Sequence, residues 1–482
     1  MPPPDTSRSA APADRLADLL FEALRAVRRA APADDQRVYL YGIDFGGRFT
    51  TPFVIVAAAF LAAVAPAEGP CKVFVYGSAV MTEVTAGRDQ PGLVPLVQEG
   101  DLTRPAPALL ANIVMCRVAR EDAPPVEFAL PPAALAALLN AAEVRSRLPR
   151  VELYARRPVY SPAYTLLGPG YHPAERVLVH GPAVEPDISP LPTGDTAFAR
   201  LPRHLRTLLS GFCFATTADL ANAVGLLVSG LLVNRFAEKG KPVALVDGNQ
   251  PGVGKSLLLL VVGMILDGRL PQVIHYTAAE EELQKRICAT LRSGEQSVVL
   301  VDNAKDDNGS AVSSPTLEAN SVAPEISLRV LGTSTNFVRP NDVLWAITMN
   351  CTRVSPDLVS RGLPIQLQYD GRPEGRTFAG PHPLDYTREH RLAILGELAG
   401  MVERWTAAGR PDGTRGHRLT EWARVLGGVM AVNGLYDFLG NYEEAAADFD
   451  AGQDDLVALF EAAVGEPNGP VVFTNFLGEE ER

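Results

Sequence analysis

Cysteine and histidine are scarce in this chain. The five cysteines, at 71, 116, 213, 288 and 351, stand far apart and form no Cys-x-x-Cys pair, which points away from a disulfide scaffold or a zinc site and fits a reducing cytoplasm. Basic charge is not in excess either: 44 Lys and Arg against 56 Asp and Glu leave a net charge of −12, so a polyanion would have to be gripped by locally concentrated cations. Long apolar runs are missing. The longest, residues 53–65 and 221–233, fall short of the roughly 20 residues a membrane span needs and read as buried helices, so no membrane partner is expected. The opening Met-Pro-Pro-Pro-Asp-Thr-Ser carries neither the basic nor the apolar segment of a secretory leader.

What is present suits a soluble chain of about three domains, at ~150 residues each: 482 residues, 47% hydrophobic and 21% charged. Residues 1–36 read as a disordered start and an amphipathic helix, with Leu16, Leu19, Leu20, Ala23, Leu24 and Val27 on one face. Residues 37–142 mix strand-like runs (38–41, 73–76) with helical ones (54–64, 132–142) and read as an accessory α/β domain. They hold no paired carboxylates or clustered histidines, so no second chemistry is expected there. Residues 143–200 read as a β-rich connector and linker, 201–375 as a core with a helical lead-in over 201–236, and 376–482 as helical, most clearly at 391–406 and 419–438. Residues 471–476 resemble a strand stopped early before Arg482.

The chemistry begins at residues 243–256, Val-Ala-Leu-Val-Asp-Gly-Asn-Gln-Pro-Gly-Val-Gly-Lys-Ser: an apolar strand, a glycine-rich turn and the start of an apolar helix. This is a P-loop, formed by Asn249, Gln250, Pro251, Gly252, Val253, Gly254, Lys255, Ser256 and Leu257, and it implies ATP and Mg²⁺ as cofactors. The glycines let backbone N–H groups converge on phosphate, Lys255 reaches the outer phosphates, and the Ser256 hydroxyl ligates magnesium at a helix N-terminus that favours anions. Asn249 stands where the pattern has its opening glycine; Asn tolerates positive φ, so the turn is expected to survive.

Further along, Ser297-Val-Val-Leu-Val-Asp302-Asn303 is a β-branched strand ending in a carboxylate, placed to support the magnesium. A third strand, Val343-Leu-Trp-Ala-Ile-Thr-Met, ends in Asn350, whose amide can orient water against the γ-phosphate. Ser355-Pro-Asp-Leu-Val-Ser-Arg361 then offers an arginine able to cross a subunit interface; its alternative is a surface salt bridge.

With these motifs in order, residues 200–440 resemble the AAA+ ATPase cores of phage, plasmid and integrative-element replication proteins, of the primase-helicase type and akin to helicase superfamily three. The matching stretches are Ala218-Asp-Leu-Ala-Asn-Ala, the P-loop, Glu282-Leu-Gln-Lys-Arg-Ile, Leu300-Val-Asp-Asn, Leu328-Arg-Val-Leu-Gly, Trp345-Ala-Ile-Thr-Met-Asn and Asp357-Leu-Val-Ser-Arg. Residues 143–182 are similar to the segment preceding that core in the same proteins. The resemblance implies an α/β fold, a P-loop AAA+ core of parallel sheet flanked by helices, with an α/β accessory region before it and a helical region after it. It implies an ATPase that translocates on or unwinds DNA, assembled as a homo-oligomeric ring, usually hexameric, around single-stranded DNA. A separate primase or replication initiator is a candidate partner. Lys255 and Ser256 would bind nucleotide and metal, Asp302 the metal, Asn350 would be the sensor and Arg361 the finger serving a neighbouring subunit.

Asn303 departs from the family, which usually has a glutamate there to polarise the attacking water. Either the water is positioned rather than deprotonated, or a carboxylate among Asp306, Asp307 and Glu280 to Glu282 assists, or hydrolysis is slow. Leu328 to Pro340 looks like a β-hairpin, with Arg329, Thr333 and Arg339 as candidate DNA contacts and a purely structural hairpin as the alternative. Arg388 and Arg391 are weaker candidates for a second sensor. Two rival functions follow: an ATP-gated DNA-binding or loading factor with little hydrolysis, which Asn303 favours, and a protein remodeller, which the hairpin disfavours because it lacks an aromatic-hydrophobic pore loop.

Overall fold

The computed structural model describes residues 71–77, 79–84, 92–98, 101–103, 113–117, 126–128, 132–292, 296–305, 311–330, 336–350, 353–373 and 380–444, with a few isolated short stretches besides. Residues 15–27 of the expected helix at 15–29, most of the helix at 54–64, Thr333, Asp306, Asp307 and most of residues 471–476 lie outside the described residues. The last two residues of that expected helix, Arg28–Arg29, are instead a short strand paired antiparallel with Tyr39 and Leu40, because cross-strand pairing overrides the local helical period. The chain forms two bodies: residues up to 183 with 290–295 and 325–342, and residues 184–289, 296–324 and 343 onward.

In the first body, β1 (Val73–Tyr76), β2 (Ala79–Val84) and β3 (Gly92–Pro95) pair antiparallel, and β4 (Arg150–Val151) joins β1 in parallel. Every residue of Val-Phe-Val-Tyr in β1 is buried, and Phe74 and Tyr76 share a cluster with Met81, Leu93, Val151, Tyr154 and Leu178. Beta-branched and aromatic side chains suit such a pleated, packed surface. A helix, α1 (Pro132–Asn140), precedes a small sheet of β5 (Leu153–Ala155), β6 (Gly170–His172) and β7 (Val177–Val179).

The second body opens with α2 (Arg203–Leu209) and α3 (Thr217–Leu231), the helical lead-in. α3 starts on a capping box: the Thr216 hydroxyl accepts from Asp219 N, and the Asp219 carboxylate accepts from Thr216 N. Then come β8 (Val243–Gly248), α4 (Lys255–Asp267), β9 (Val273–His275), α5 (Glu280–Arg292), β10 (Val298–Ala304) and α6 (Pro315–Val322). After a hairpin, β11 (Glu325–Arg329) and β12 (Asn336–Pro340), follow β13 (Leu344–Met349), α7 (Pro356–Ser360), β14 (Gly362–Leu367), α8 (Pro383–Ala407) and α9 (Thr420–Val432).

Five strands make one parallel sheet in the order β9-β10-β13-β8-β14. All six residues of β8 and all six of β13 are buried, which explains their unbroken apolar runs: a parallel sheet packs helices on both faces. α8 packs on α4, α2 and α9. Its Arg391 donates from Nε to Met264 O (3.2 Å) and Ile265 O (2.8 Å) and from Nη2 to Leu266 O (3.0 Å), so it caps the C-terminal end of α4. Those carbonyls lie about ten residues beyond Lys255, so Arg391 sits ~15 Å of helix away from it, at 1.5 Å per residue. That geometry is a helix cap rather than a second sensor.

The expected hairpin is present, with Arg329 opposite Asn336, and it belongs to the first body. Arg339 is 2% exposed. Its Nε and Nη2 bind Asp342 Oδ1 (3.1 and 2.7 Å), its Nη1 donates to Leu291 O (3.1 Å), and its guanidinium lies 5.2 Å from the Tyr76 ring centre. Tyr76 donates its hydroxyl to the other oxygen of Asp342. Gly77, at φ +56°, turns the chain beneath the hairpin: a Cβ there would stand 2.2 Å from Val338 O.

Candidate functional site

β8 delivers the chain at the carboxyl edge of the parallel sheet into a turn that opens α4 at Lys255. Gly252 (φ +83°) and Gly254 (φ +106°) take the left-handed backbone. Asn249 does not have a positive φ, so tolerance of that conformation is not what places Asn there. Its amide instead grips the chain after β14: Nδ2 donates to Tyr369 O (3.0 Å) and Oδ1 accepts from Tyr369 N (3.2 Å). Gln250 reaches the same segment, donating from Nε2 to Tyr369 O (2.5 Å) and Gly371 O (2.9 Å). Pro251 and Gly252 are exposed, Val253 is buried, and Leu257 is half-buried. Lys255 is 7% exposed, and its Nζ donates to Gln250 O at 3.1 Å.

Four predicted residues converge with a fifth that the motifs did not single out. The Ser256 hydroxyl donates to Asp302 Oδ1 at 2.6 Å, and the Thr348 hydroxyl donates to the same oxygen at 2.7 Å. Thr348 Oγ1 also accepts from Asn303 N at 2.8 Å. Pairing between β10 and β13 runs Val301 to Ile347 and then Ala304 to Met349, so two residues of β10 oppose the single Thr348. This bulge takes Asp302 and Asn303 out of register with β13, while Asp302 keeps its pairing with His275 of β9. Asn303 adopts φ +58°, a conformation in which Asn is enriched and longer side chains are not. Asn350 Nδ2 then donates to Asn303 Oδ1 at 3.1 Å, which sets the two amides side by side.

Other candidates stand elsewhere. Glu280 accepts from Thr316 N (2.7 Å) and Ser314 Oγ (3.2 Å), capping α6, while Glu281 and Glu282 pair along α5 with Lys285 and Arg286. Arg361 ends α7 where β14 begins, at the amino edge of the sheet, ~20 Å from the P-loop by six strand residues at about 3.3 Å each. It is 13% exposed, pairs with Asp357 Oδ2 at 2.8 Å and donates to Glu318 O; Arg418 joins Asp357 from the other side at 2.5 Å. Arg388 is exposed and paired with Asp385. Arg329 is exposed, whereas Arg339 is enclosed in the first body, so its guanidinium is not presented to a ligand.

At the amino edge His417 is held as one tautomer. Its Nδ1 accepts from Leu419 N (3.0 Å) and its Nε2 faces Gly362 O (3.0 Å), so the neutral ring carries its proton on Nε2. Burial lowers its pKa to about 4.

Thr348 was legible in principle: a hydroxyl in the otherwise apolar Leu344–Met349, two residues before Asn350 and on the same face. Tyr369, Gly371 and Pro373 carry no such signal. Among the described residues no group of three or more His, Cys, Asp or Glu could hold a metal ion, and no helix is long and apolar enough to cross a membrane.

No protein-family model matches the chain, and no curated protein sequence does. Among solved structures it is similar to the C-terminal region of NrS-1 (10% identity, 85% of this chain and 94% of that one, TM-score 0.36). It is also similar to SCCmec type IV Cch, an active helicase (14% identity, 81% and 77%, TM-score 0.33), and to an inhibitor-bound JCV helicase (14% identity, 55% and 61%, TM-score 0.25). Against another form of the NrS-1 C-terminal region the chain spans 62% of that chain's length.

Proposed function

We propose that this chain is a magnesium-dependent ATPase that moves along or unwinds DNA during replication of a mobile element, working as a homo-oligomeric, hexameric ring. The observation that carries this reading is the meeting of Ser256 and Asp302 at the mouth of the P-loop, with Asp302 fixed by Thr348. A hydroxyl and a carboxylate oxygen are hard donors, and two protein ligands leave room for water and phosphate oxygens, the usual surroundings of magnesium. Bound there, magnesium would neutralise charge on the β- and γ-phosphates. Lys255 places a further positive charge on them, and the turn N–H groups and the α4 N-terminus hold the rest.

Asn303 and Asn350 orient the attacking water between two amides. Positioning is adequate because a loose phosphoryl-transfer transition state needs little from a base. Arg361, at the far edge of its own sheet, serves the neighbouring subunit. DNA contact is assigned to the hairpin end marked by Arg329 and, from the sequence alone, to Thr333; Arg339 is left out because it is enclosed. A separate primase or initiator supplies primers or loading.

A second reading has Asn303 in its favour: a nucleotide-gated DNA loader that hydrolyses little. Turnover measured with and without single-stranded DNA separates the two. Turnover stimulated by DNA supports the motor, ATP-dependent DNA binding with negligible turnover supports the loader, and absence of both overturns each. For the hairpin, Arg329→Ala is expected to weaken single-strand binding and to flatten its log–log salt dependence by about 0.7. Parent affinity and slope would remove the DNA contact.

A further inference from the structure

Residues 368–373, which follow β14, lie against the P-loop through side chains that the nucleotide reading leaves without a task. Asn249 meets Tyr369 as one peptide group meets another, donating to its carbonyl and accepting from its N–H. Gln250 adds bonds to Tyr369 O and Gly371 O, so the Tyr369 carbonyl accepts from two amides at once. Pro373 lies against Gly252: a Cβ on that glycine would stand 3.0 Å from the proline Cβ. The backbone above β14 continues the attachment, with Asn249 N donating to Leu367 O at 3.2 Å.

Gln250 joins this segment to the phosphate-binding cation. Its side chain holds the segment while its own carbonyl accepts from Lys255 Nζ at 3.1 Å. We propose that Asn249 and Gln250 latch residues 369–373 across the P-loop, so that the segment is a closure setting how long bound nucleotide stays. The proposal rests on the nucleotide reading above. It also accounts for Asn at the position where the P-loop pattern has glycine: a glycine there has no side chain with which to hold Tyr369. Asn249 and Gln250 are positioning residues in this scheme, acting on nucleotide through the segment they hold.

The test is release of a fluorescent ATP analogue from the full-length chain with magnesium, chased by excess ATP in stopped flow. With net hydrogen-bond contributions of ordinary size, Asn249→Gly together with Gln250→Ala should release the analogue about tenfold faster. Association should change far less, and the melting temperature without nucleotide should stay near that of the parent. Pro373→Gly, which keeps the amide bonds and removes that contact, should give a smaller acceleration. Hydrogen exchange supplies a readout that a merely structural loop would not move. Nucleotide should protect the Tyr369 amide in the parent chain and much less in Asn249→Gly. Unchanged release and unchanged protection in a parent chain that binds the analogue through Lys255 would overturn the latch alone. Failure of the parent chain to bind the analogue would overturn the nucleotide reading and the latch with it.

Discussion

The two edges of the parallel sheet use polar residues in opposite ways. At the carboxyl edge Ser256, Asp302, Thr348, Asn303 and Asn350 form a short chain of hydrogen bonds, three of them part-buried and the last exposed, on a bulged strand and a glycine turn. At the amino edge Arg361, Asp357, Arg418 and His417 are tied to backbone and to one another, with Arg361 and His417 largely withdrawn from solvent. Groups at the first edge can exchange partners at small cost. Those at the second are fixed by the fold, so an arginine acting on a neighbour must leave an existing pair to do so.

The strongest way to sharpen this contrast is Lys255→Ala, expected to reduce ATP turnover by at least about a hundredfold, to background, while urea unfolding changes little. Steady-state phosphate release checks it. Next comes Arg361→Ala. If the amino edge serves a neighbour, turnover falls by roughly 10³ with ATP binding retained, and mixing with the Lys255 variant restores part of it. Without rescue in rings shown to be mixed, Arg361 is confined to its pair with Asp357 and the amino edge is purely structural.

The third concerns pH. His417 has a pKa near 4 when folded against about 6.5 when unfolded, so between these values only the unfolded chain takes up the proton. Its contribution is complete above pH 6.5 and is lost as pH falls toward 4, amounting to about 2 kcal/mol between pH 8 and pH 5. Urea midpoints at the two pH values should show this, and His417→Gln should remove that share of the dependence. The smallest effect is expected for Thr348→Val. It strands the Asn303 N–H and frees Asp302 to rotate, lowering turnover about tenfold and stability by ~1 to 2 kcal/mol.

The strands of the sheet, the glycine turn, the carboxylate near the end of β10 and the hairpin could be read along the chain because each is a local pattern of apolar period and turn residues. The parallel sheet flanked by helices follows from the same patterns. What could not be read depends on residues far apart. Asn249 and Tyr369 are 120 positions apart, and nothing near Asn249 announces that its amide mimics a strand partner. The argument from left-handed tolerance belonged to Asn303, where a bulge created by long-range register demands it. Arg339 looked like a phosphate contact because a basic residue on a hairpin is usually solvated; its partners Tyr76 and Leu291 lie in other stretches of the first body.

Arg391 has a consequence for dissecting the molecule. A helix behaves as a dipole of about half a charge at each end, and α4 presents its positive end to the P-loop turn while its carbonyl end meets a guanidinium. That counter-charge comes from α8, beyond the expected core boundary at 375. A minimal fragment ending at that boundary would keep every P-loop residue yet leave the last carbonyls of α4 without their cap, and would strip α8 from the apolar face it covers. The electrostatic unit centred on α4 therefore extends further along the chain than the motifs that mark its start.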